Sequence, residues 1–408
     1  MGRLDGPARY AQGCGRPHQH RSQGHPGRQG SAGQAAQRRC HRQFEKALYL
    51  CTCLQHARQS SVQPGKNEVR KQTSQTQKTI PGDSSINENK IVKEAKKQLK
   101  EYFDGKLDKF NLPIYFDNSF KSRVLKSLYE TSTGDVLTYK TLAEMNDSKA
   151  HRAVGTAMAT NKIPIIIPCH RVIKSDGSVG NYYYGSKMKE DLLLLEAEYL
   201  FLKKCTKVEN FSKNEQNMLI SHPTLKKMFD VMKPIKNYIH YNTIFSCVIS
   251  QIIYQQIAYK TAKKQEILFY KLCNYEVTKE KLMKMDDKEF KKIGISGFRL
   301  KYIRNTINSD IDFEKLSEYS DEKIYEILTS IKGIGTWTVE MVLLFGMSRS
   351  HVISYKDLII INGLKQLYKL ENISLSKFNE IVSTFNGFES IVSINLWSYI
   401  EKGYYKKH

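Results

Sequence analysis

Large apolar residues are scarce before residue 80, and the first isoleucine is Ile80; beyond it they recur with clear periods. From Asn87 to Phe103, Ile91, Ala95, Leu99 and Tyr102 fall at three- and four-residue steps, which predicts an amphipathic helix stopped by Gly105. Leu112-Pro113-Ile114 reads as extended. Ser119 is placed to cap a helix that buries Phe120, Val124 and Leu128 and ends before Gly134. A short helix from Tyr139 to Met145, a polar turn at Asn146-Asp147-Ser148 and a helix from Lys149 to Thr160 have helix-turn-helix spacing. Ile163 to Ile167, with Pro164 and Pro168, reads as a buried extended run, and Leu192 to Leu195 as the closing helix.

Polar residues from Lys203 to Asn217 read as a linker. From His222-Pro223 onward the pattern is helical almost throughout: 243–272 broken once, then 279–292, 298–309, 321–330, 336–347 and 357–369. The expected fold is mainly α, a winged helix-turn-helix-like unit followed by an all-α unit. The boundaries are a tail at 1–84, a leading helix segment at 85–116, a first domain at 117–199, a linker at 200–221 and a second domain at 222–408.

Composition changes this picture mainly at the N-terminus. Residues 1–84 use Arg, Gly, Gln and His and cannot bury enough surface to offset their ordering entropy, so disorder is expected there. The abrupt break in composition also fits a foreign or wrongly started segment, and no function is assigned to it. Of the eight cysteines, Cys14, Cys40, Cys51 and Cys53 lie near His18, His20 and His25, but no Cys-x-x-Cys pair occurs and no metal is expected. The scatter of cysteines fits a reducing compartment. No apolar run is long enough to cross a membrane and no secretory signal is visible, so an intracellular location is expected, cytoplasmic in a bacterium and nuclear in a eukaryote. A net charge of +23 points to a polyanionic partner, although a solvated lysine-rich surface would give the same number.

The most informative string is Ile165-Ile166-Ile167-Pro168-Cys169-His170-Arg171-Val172. A cysteine attacks as thiolate, and an ordinary thiol pKa of about 8.5 leaves little of it at neutral pH. His170 and Arg171 are of the right type to lower that value; the competing reading is a buried structural cysteine. This stretch resembles the O6-alkylguanine-DNA alkyltransferase family, whose hallmark is Pro-Cys-His-Arg-Val. Further matches run in order over residues 90–198: Gly134 to Tyr139, Lys149 to Gly155, Asn161, Val179-Gly180-Asn181-Tyr182 and Glu196.

The resemblance implies a set of tasks. The damaged base must leave the duplex, at a cost of a few kcal/mol for unstacking. Arg152 would fill the vacated place from a recognition helix whose Ala153, Gly155 and Ala157 are small enough to approach a groove. Tyr139 would assist the rotation and bond the purine. Cys169, a water, His170 and Glu196 would form the relay that generates the thiolate, with Asn161 orienting the cysteine loop. Tyr182 would line the base pocket. The chain departs from the pattern at Lys162, where proline is usual, and at Tyr184, where many members have glycine. Tyr184 should narrow the pocket. Most of the family's N-terminal sheet domain has no counterpart here beyond the helix at 87–103.

A second site is suggested by Ile331 to Thr338, which reads as helix, tight Gly333-Ile334-Gly335 turn, helix. Such glycines let backbone amides approach a phosphate, and the helix opening at Thr336 favours the anion. An ordinary helix-helix turn is the competing reading. The region resembles helix-hairpin-helix glycosylases of the 3-methyladenine branch over residues 222–403. The matches are Val352 to Leu358, the helix with Val248, Ile252, Gln255 and Gln256, the segment Ile293 to Ser296, and Leu396-Trp397.

By that resemblance, Asp357 would stabilise the sugar cation and position water, while Trp337 and Phe388 would stack on a cationic base. Core packing is the competing reading for both aromatics. Trp337 stands where lyase-active relatives carry lysine, so a monofunctional enzyme is expected, and an oxidised-base glycosylase is disfavoured. The combined expectation is repair of alkylated double-stranded DNA by a monomer with no cofactor. Cys169 would accept the group from O6-alkylguanine, and from O4-alkylthymine, and the second domain would excise N-alkylated purines. The alternative is a DNA-binding regulator or damage sensor with one domain inactive.

Overall fold

Helix α1 (Lys90–Phe103) opens the computed structural model, which describes residues 90–401 and 403; the tail expected at 1–84 lies outside the described residues. The buried stripe of α1 is Val92, Ala95, Leu99 and Tyr102. Ile91, expected on that face, is exposed, because the stripe is rotated one position onto Val92. Ser119 accepts a bond from the Ser122 amide and starts α2 (Phe120–Tyr129) as expected. Strand β1 (Leu137–Thr138), α3 (Tyr139–Glu144) and α4 (His151–Ala159) follow, and β1 pairs in parallel with β2 (Val172–Ile173). Val124 and Leu128, Leu142, Val154 and Ala157 pack into one small core with Ile167, Cys169 and Val172.

Residues 164–167 are buried and Ile163 partly so, but the run is not extended. The Ile167 amide donates to the Ile163 carbonyl at 2.9 Å, and Ile165 adopts φ 75°. Two prolines cannot donate to a strand ladder, so the run closes on itself as a turn.

Helix α5 (Ser186–Cys205) is 20 residues long, well beyond the four predicted. It leads straight into β3 (Thr206–Asn210), which pairs antiparallel with β4 (Asn237–Tyr241), and α6 (Lys213–Ser221) lies between the two strands. The expected linker at 200–221 is therefore regular structure. Its polar composition has a local cause: the middle of β3 faces solvent, and Ser212 and Glu215 form a capping box on α6.

Helices α7 (Ile244–Tyr254) and α8 (Tyr259–Leu272) show the single break expected. The helix expected at 279–292 is two, α9 (Lys279–Lys284) and α10 (Asp287–Lys292), because Asp286 is extended and caps the second. Then come α11 (Gly297–Ile307), α12 (Asp321–Thr329), α13 (Thr336–Met347), α14 (Leu358–Tyr368), α15 (Leu375–Ser383) and α16 (Glu389–Glu401). A large core holds Val248, Ile252, Phe269, Ile303 and Val342; a second holds Leu219, Leu225, Ile360, Phe385 and Leu396. The architecture is mainly α, with β3 formed from the expected linker and β4 from a region expected to be all helix. No described helix is long and apolar enough to cross a membrane.

Candidate active sites

Cys169 begins a 3-10 turn, Cys169–Arg171, directly after the 163–167 turn. Asn161 holds that turn together: its Nδ2 donates to the Ile167 carbonyl at 2.8 Å and to Cys169 Sγ at 3.2 Å, while its Oδ1 accepts the Ile163 amide at 3.1 Å. A β-branched residue at positive φ is costly, so this conformation persists because its surroundings over-determine it. Burial pushes the Cys169 thiol up from its ordinary value, with the Asn161 bond, the Lys189 charge and the Tyr182 hydroxyl acting the other way. The resting group is a thiol.

The structure corrects the roles expected of His170 and Arg171 as neighbours that lower the thiol pKa. Both side chains turn to Glu196. His170 Nε2 meets Glu196 Oε1 at 2.8 Å, and Arg171 Nε meets Oε2 at 2.9 Å and Oε1 at 3.1 Å. Tyr102 from α1 donates to the same Oε1 at 2.9 Å, and the Gly134 amide to Oε2 at 2.9 Å. Burial alone would raise the Glu196 carboxyl; the charge and hydrogen bonds of His170 and Arg171 override it and hold the group at about 2. The other ring nitrogen, His170 Nδ1, is buried without a hydrogen-bond partner.

The cation that faces Cys169 is Lys189, almost fully buried, bonded to the Val172 carbonyl and lying 5.9 Å from the Tyr139 ring centroid. Burial lowers its ammonium to about 8. Sequence reasoning missed both Lys189 and Tyr102. The available signal was periodicity: Lys189 lies on the buried stripe of Leu192, Leu193 and Glu196, and Tyr102 on that of Leu99.

Tyr139 and Tyr182 pack against the core around Cys169, and the Tyr184 ring lies 5.8 Å from that of Tyr182. Arg152 is exposed in the first turn of α4, and Ala153 and Gly155 are half-exposed beside it. Ala157, expected on that surface, is instead buried in the core.

At the second site, Gly333 adopts φ 111°, and a Cβ there would fall 2.1 Å from the Tyr302 ring. Gln255 Nε2 braces the turn through the Gly333 carbonyl and Thr338 Oγ1, both at 3.0 Å. Gly335 precedes α13 without any side-chain cap, and Thr336 Oγ1 accepts from Lys356 Nζ at 2.9 Å. Lys356 thus ties the Asp357 loop to the hairpin.

Asp357 is the N-cap of α14. Its Oδ1 accepts the Ile359 and Ile360 amides at 2.8 and 3.1 Å; its Oδ2 accepts Trp337 Nε1 at 3.2 Å and Trp397 Nε1 at 3.1 Å. The two tryptophans of the chain therefore converge on one carboxylate oxygen. Trp397, whose ring stacks on Phe345, was not expected in this role. Glu340, one turn beyond Trp337, was also missed. Burial raises its carboxyl, opposed by a bond to Ser354 and the Lys356 charge. Phe388 is half-buried against the second core, which is the packing role weighed for it.

A buried thiol on a braced turn, backed by an imidazole–carboxylate pair and flanked by a helix-turn-helix, defines a cysteine-acceptor protein with a nucleic-acid-binding frame. Residues 119–198 match the family model described as 6-O-methylguanine DNA methyltransferase, DNA binding domain. The methylated-DNA–protein-cysteine methyltransferase of Methanosarcina barkeri is 45% identical over 123 residues, which is 30% of this chain and 77% of that protein. The human protein of the same name is 47% identical over 90 residues, 22% of this chain and 44% of that one. The chain belongs to the methylated-DNA–protein-cysteine methyltransferase family. Among solved structures, a Schizosaccharomyces pombe 3-methyladenine DNA glycosylase in complex with abasic DNA aligns at 24% identity and TM-score 0.42, covering 45% of this chain and 95% of that one.

Proposed function

We propose that this chain repairs alkylated duplex DNA at two separate sites, by alkyl transfer to Cys169 and by base excision at Asp357. In this reading residues 85–199 carry the transfer and residues 222–408 the excision, and the chain works as a monomer because each site is built from one copy. The observation that carries the first activity is a thiol braced by Asn161 beside a His170–Glu196 pair whose Nδ1 is free to take a proton. Through an intervening water, the proton of Cys169 passes to Nδ1, and Glu196 stabilises the imidazolium. The thiolate attacks the alkyl carbon of O6-alkylguanine; the S–C bond forms, the C–O bond breaks, and guanine leaves with its oxygen. Tyr139 and Lys189, which lie together near Cys169, supply a hydroxyl and a cation for the departing purine. The thioether is stable, so each molecule acts once. Arg152, exposed on α4 beside the half-exposed Ala153 and Gly155, enters the duplex where the base has left.

For the second activity, the amides of the Gly333–Thr336 turn receive a backbone phosphate. Asp357, with its orientation set by four hydrogen bonds, stabilises the positive charge that develops on the sugar as the C1′–N bond of an N-alkylated purine breaks and the base leaves neutral. A water oxygen then bonds C1′ and gives up its proton, leaving an abasic site. The test is one protein with two substrates. Cys169→Ala should abolish methylation of the protein, followed by intact mass, and leave abasic-site formation on methylated-purine DNA unchanged. Asp357→Asn should do the reverse. Loss of both activities in either folded variant would overturn the two-site reading.

A further inference from the structure

Helix α5 belongs to both halves of the molecule. Its first turns carry Lys189 and Glu196, which face the acceptor site. The next residue, Ala197, and then Phe201 and Cys205, are buried in the large core built mainly by helices α7 to α13. The Phe201 ring lies 4.6 Å from that of Tyr270 on α8 and 6.3 Å from that of Tyr241 on β4. Glu198 pairs with Lys263 of α8 at 2.5 Å, and Cys205 Sγ bonds the Tyr275 carbonyl at 3.2 Å. The charge of Glu196 also acts on the half-buried Lys271 of α8. Because α5 continues into β3, which is paired with β4, no flexible segment separates the halves.

Phe201 lies five residue steps beyond Glu196, about 7.5 Å along a helix at 1.5 Å per residue. A helix is stiff over that distance. Tilting or fraying its Phe201 end moves the Glu196 carboxylate, whose partners Tyr102, His170, Arg171 and the Gly134 amide sit on fixed elements. The Gly134 turn leaves little slack: a Cβ at that position would fall 2.2 Å from the Leu200 side chain of α5.

We infer that the C-terminal half is a working support of the alkyl-acceptor site, with Phe201 as a positioning residue that holds Glu196 in register from the neighbouring core. The inference rests on the alkyl-transfer reading above and adds a dependence that no residue of the acceptor site itself reveals. The two halves cannot lose structure independently without costing the first site its carboxylate.

The unmodified protein allows a direct test, because its two tryptophans, Trp337 and Trp397, both lie in the C-terminal half. Tryptophan fluorescence in a urea titration reports that half alone, while the single-turnover rate of Cys169 methylation, measured at each urea concentration, reports the acceptor site. The two midpoints should coincide within about 0.3 M. Methylation that persists after the fluorescence transition is complete overturns the inference. In the absence of urea, Phe201→Ala should lower the single-turnover rate at saturating duplex by roughly tenfold or more, leave duplex affinity unchanged, and be rescued by Phe201→Leu. A wild-type rate in Phe201→Ala also overturns it. If that variant does not fold, the titration of the unmodified protein decides alone. Absence of any Cys169 methylation in wild-type protein without urea would instead refute the alkyl-transfer reading.

Discussion

Trp397→Phe tests whether the convergence of two indoles on Asp357 matters to base excision. The substitution keeps an aromatic ring against Phe345 but removes one N–H, so Oδ2 is left with the Trp337 bond alone. A hydrogen bond to a charged group is worth about 1.5–3 kcal/mol. If that bond holds the carboxylate where the sugar charge develops, its whole value appears in the barrier, and each 1.36 kcal/mol is tenfold in rate. Excision of a methylated purine under single-turnover conditions should therefore fall by roughly ten- to hundredfold. Trp337→Phe should cost a comparable amount. The double variant should lose less than the sum, since both bonds end on the same oxygen. Methyl transfer to Cys169 serves as the internal control and should not change. An excision rate within twofold of wild type, in a variant with an unaltered melting curve, would refute the claim that Asp357 depends on its indoles for orientation.

Three further outcomes follow from the geometry. Glu196 sits at about 2 in the fold against an ordinary 4.5, so its stabilising contribution is fully present above about pH 4.5 and is lost as pH falls toward 2. At 1.36 kcal/mol per unit this amounts to about 3 kcal/mol, and the stability advantage of wild type over Glu196→Gln in urea melts should shrink across that window; a constant difference from pH 5 to pH 2.5 would contradict it. The Tyr184 ring packs on Tyr182 beside Cys169, and overfilling a formed pocket costs about 1–3 kcal/mol, so Tyr184→Gly should speed reaction with O6-benzylguanine by roughly ten- to hundredfold; equal benzyl rates would place the ring outside the pocket. Gly333→Ala forces a methyl against Tyr302 at φ 111°, which should lower the melting temperature and weaken duplex binding in fluorescence anisotropy; an unchanged affinity would remove the hairpin from the DNA contact.

The two residues proposed to react were legible without coordinates because the resemblances that mark them rest on short, local motifs. Pro168-Cys169-His170-Arg171-Val172 and Asn161 lie within one short stretch, and Asp357 was reached through the resemblance of the segment Val352 to Leu358. The helix caps at Ser119 and the break between α7 and α8 are equally local, set by residue type and period. Only the tertiary structure decided which polar groups meet. Tyr102 reaches Glu196 across 94 residues of sequence, Trp397 reaches Asp357 across 40, and Lys189 displaces His170 and Arg171 as the cation facing the thiol. The ordered run at 203–217 is the same lesson for backbone: its polar residues cap a helix and face an edge strand to solvent, although the composition looked like a tether. Periodicity reports which side of an element is buried. It carries no record of which distant donor completes a buried acceptor, because that partner is chosen by long-range packing, where leaving any such group unpaired costs more than making the bond returns.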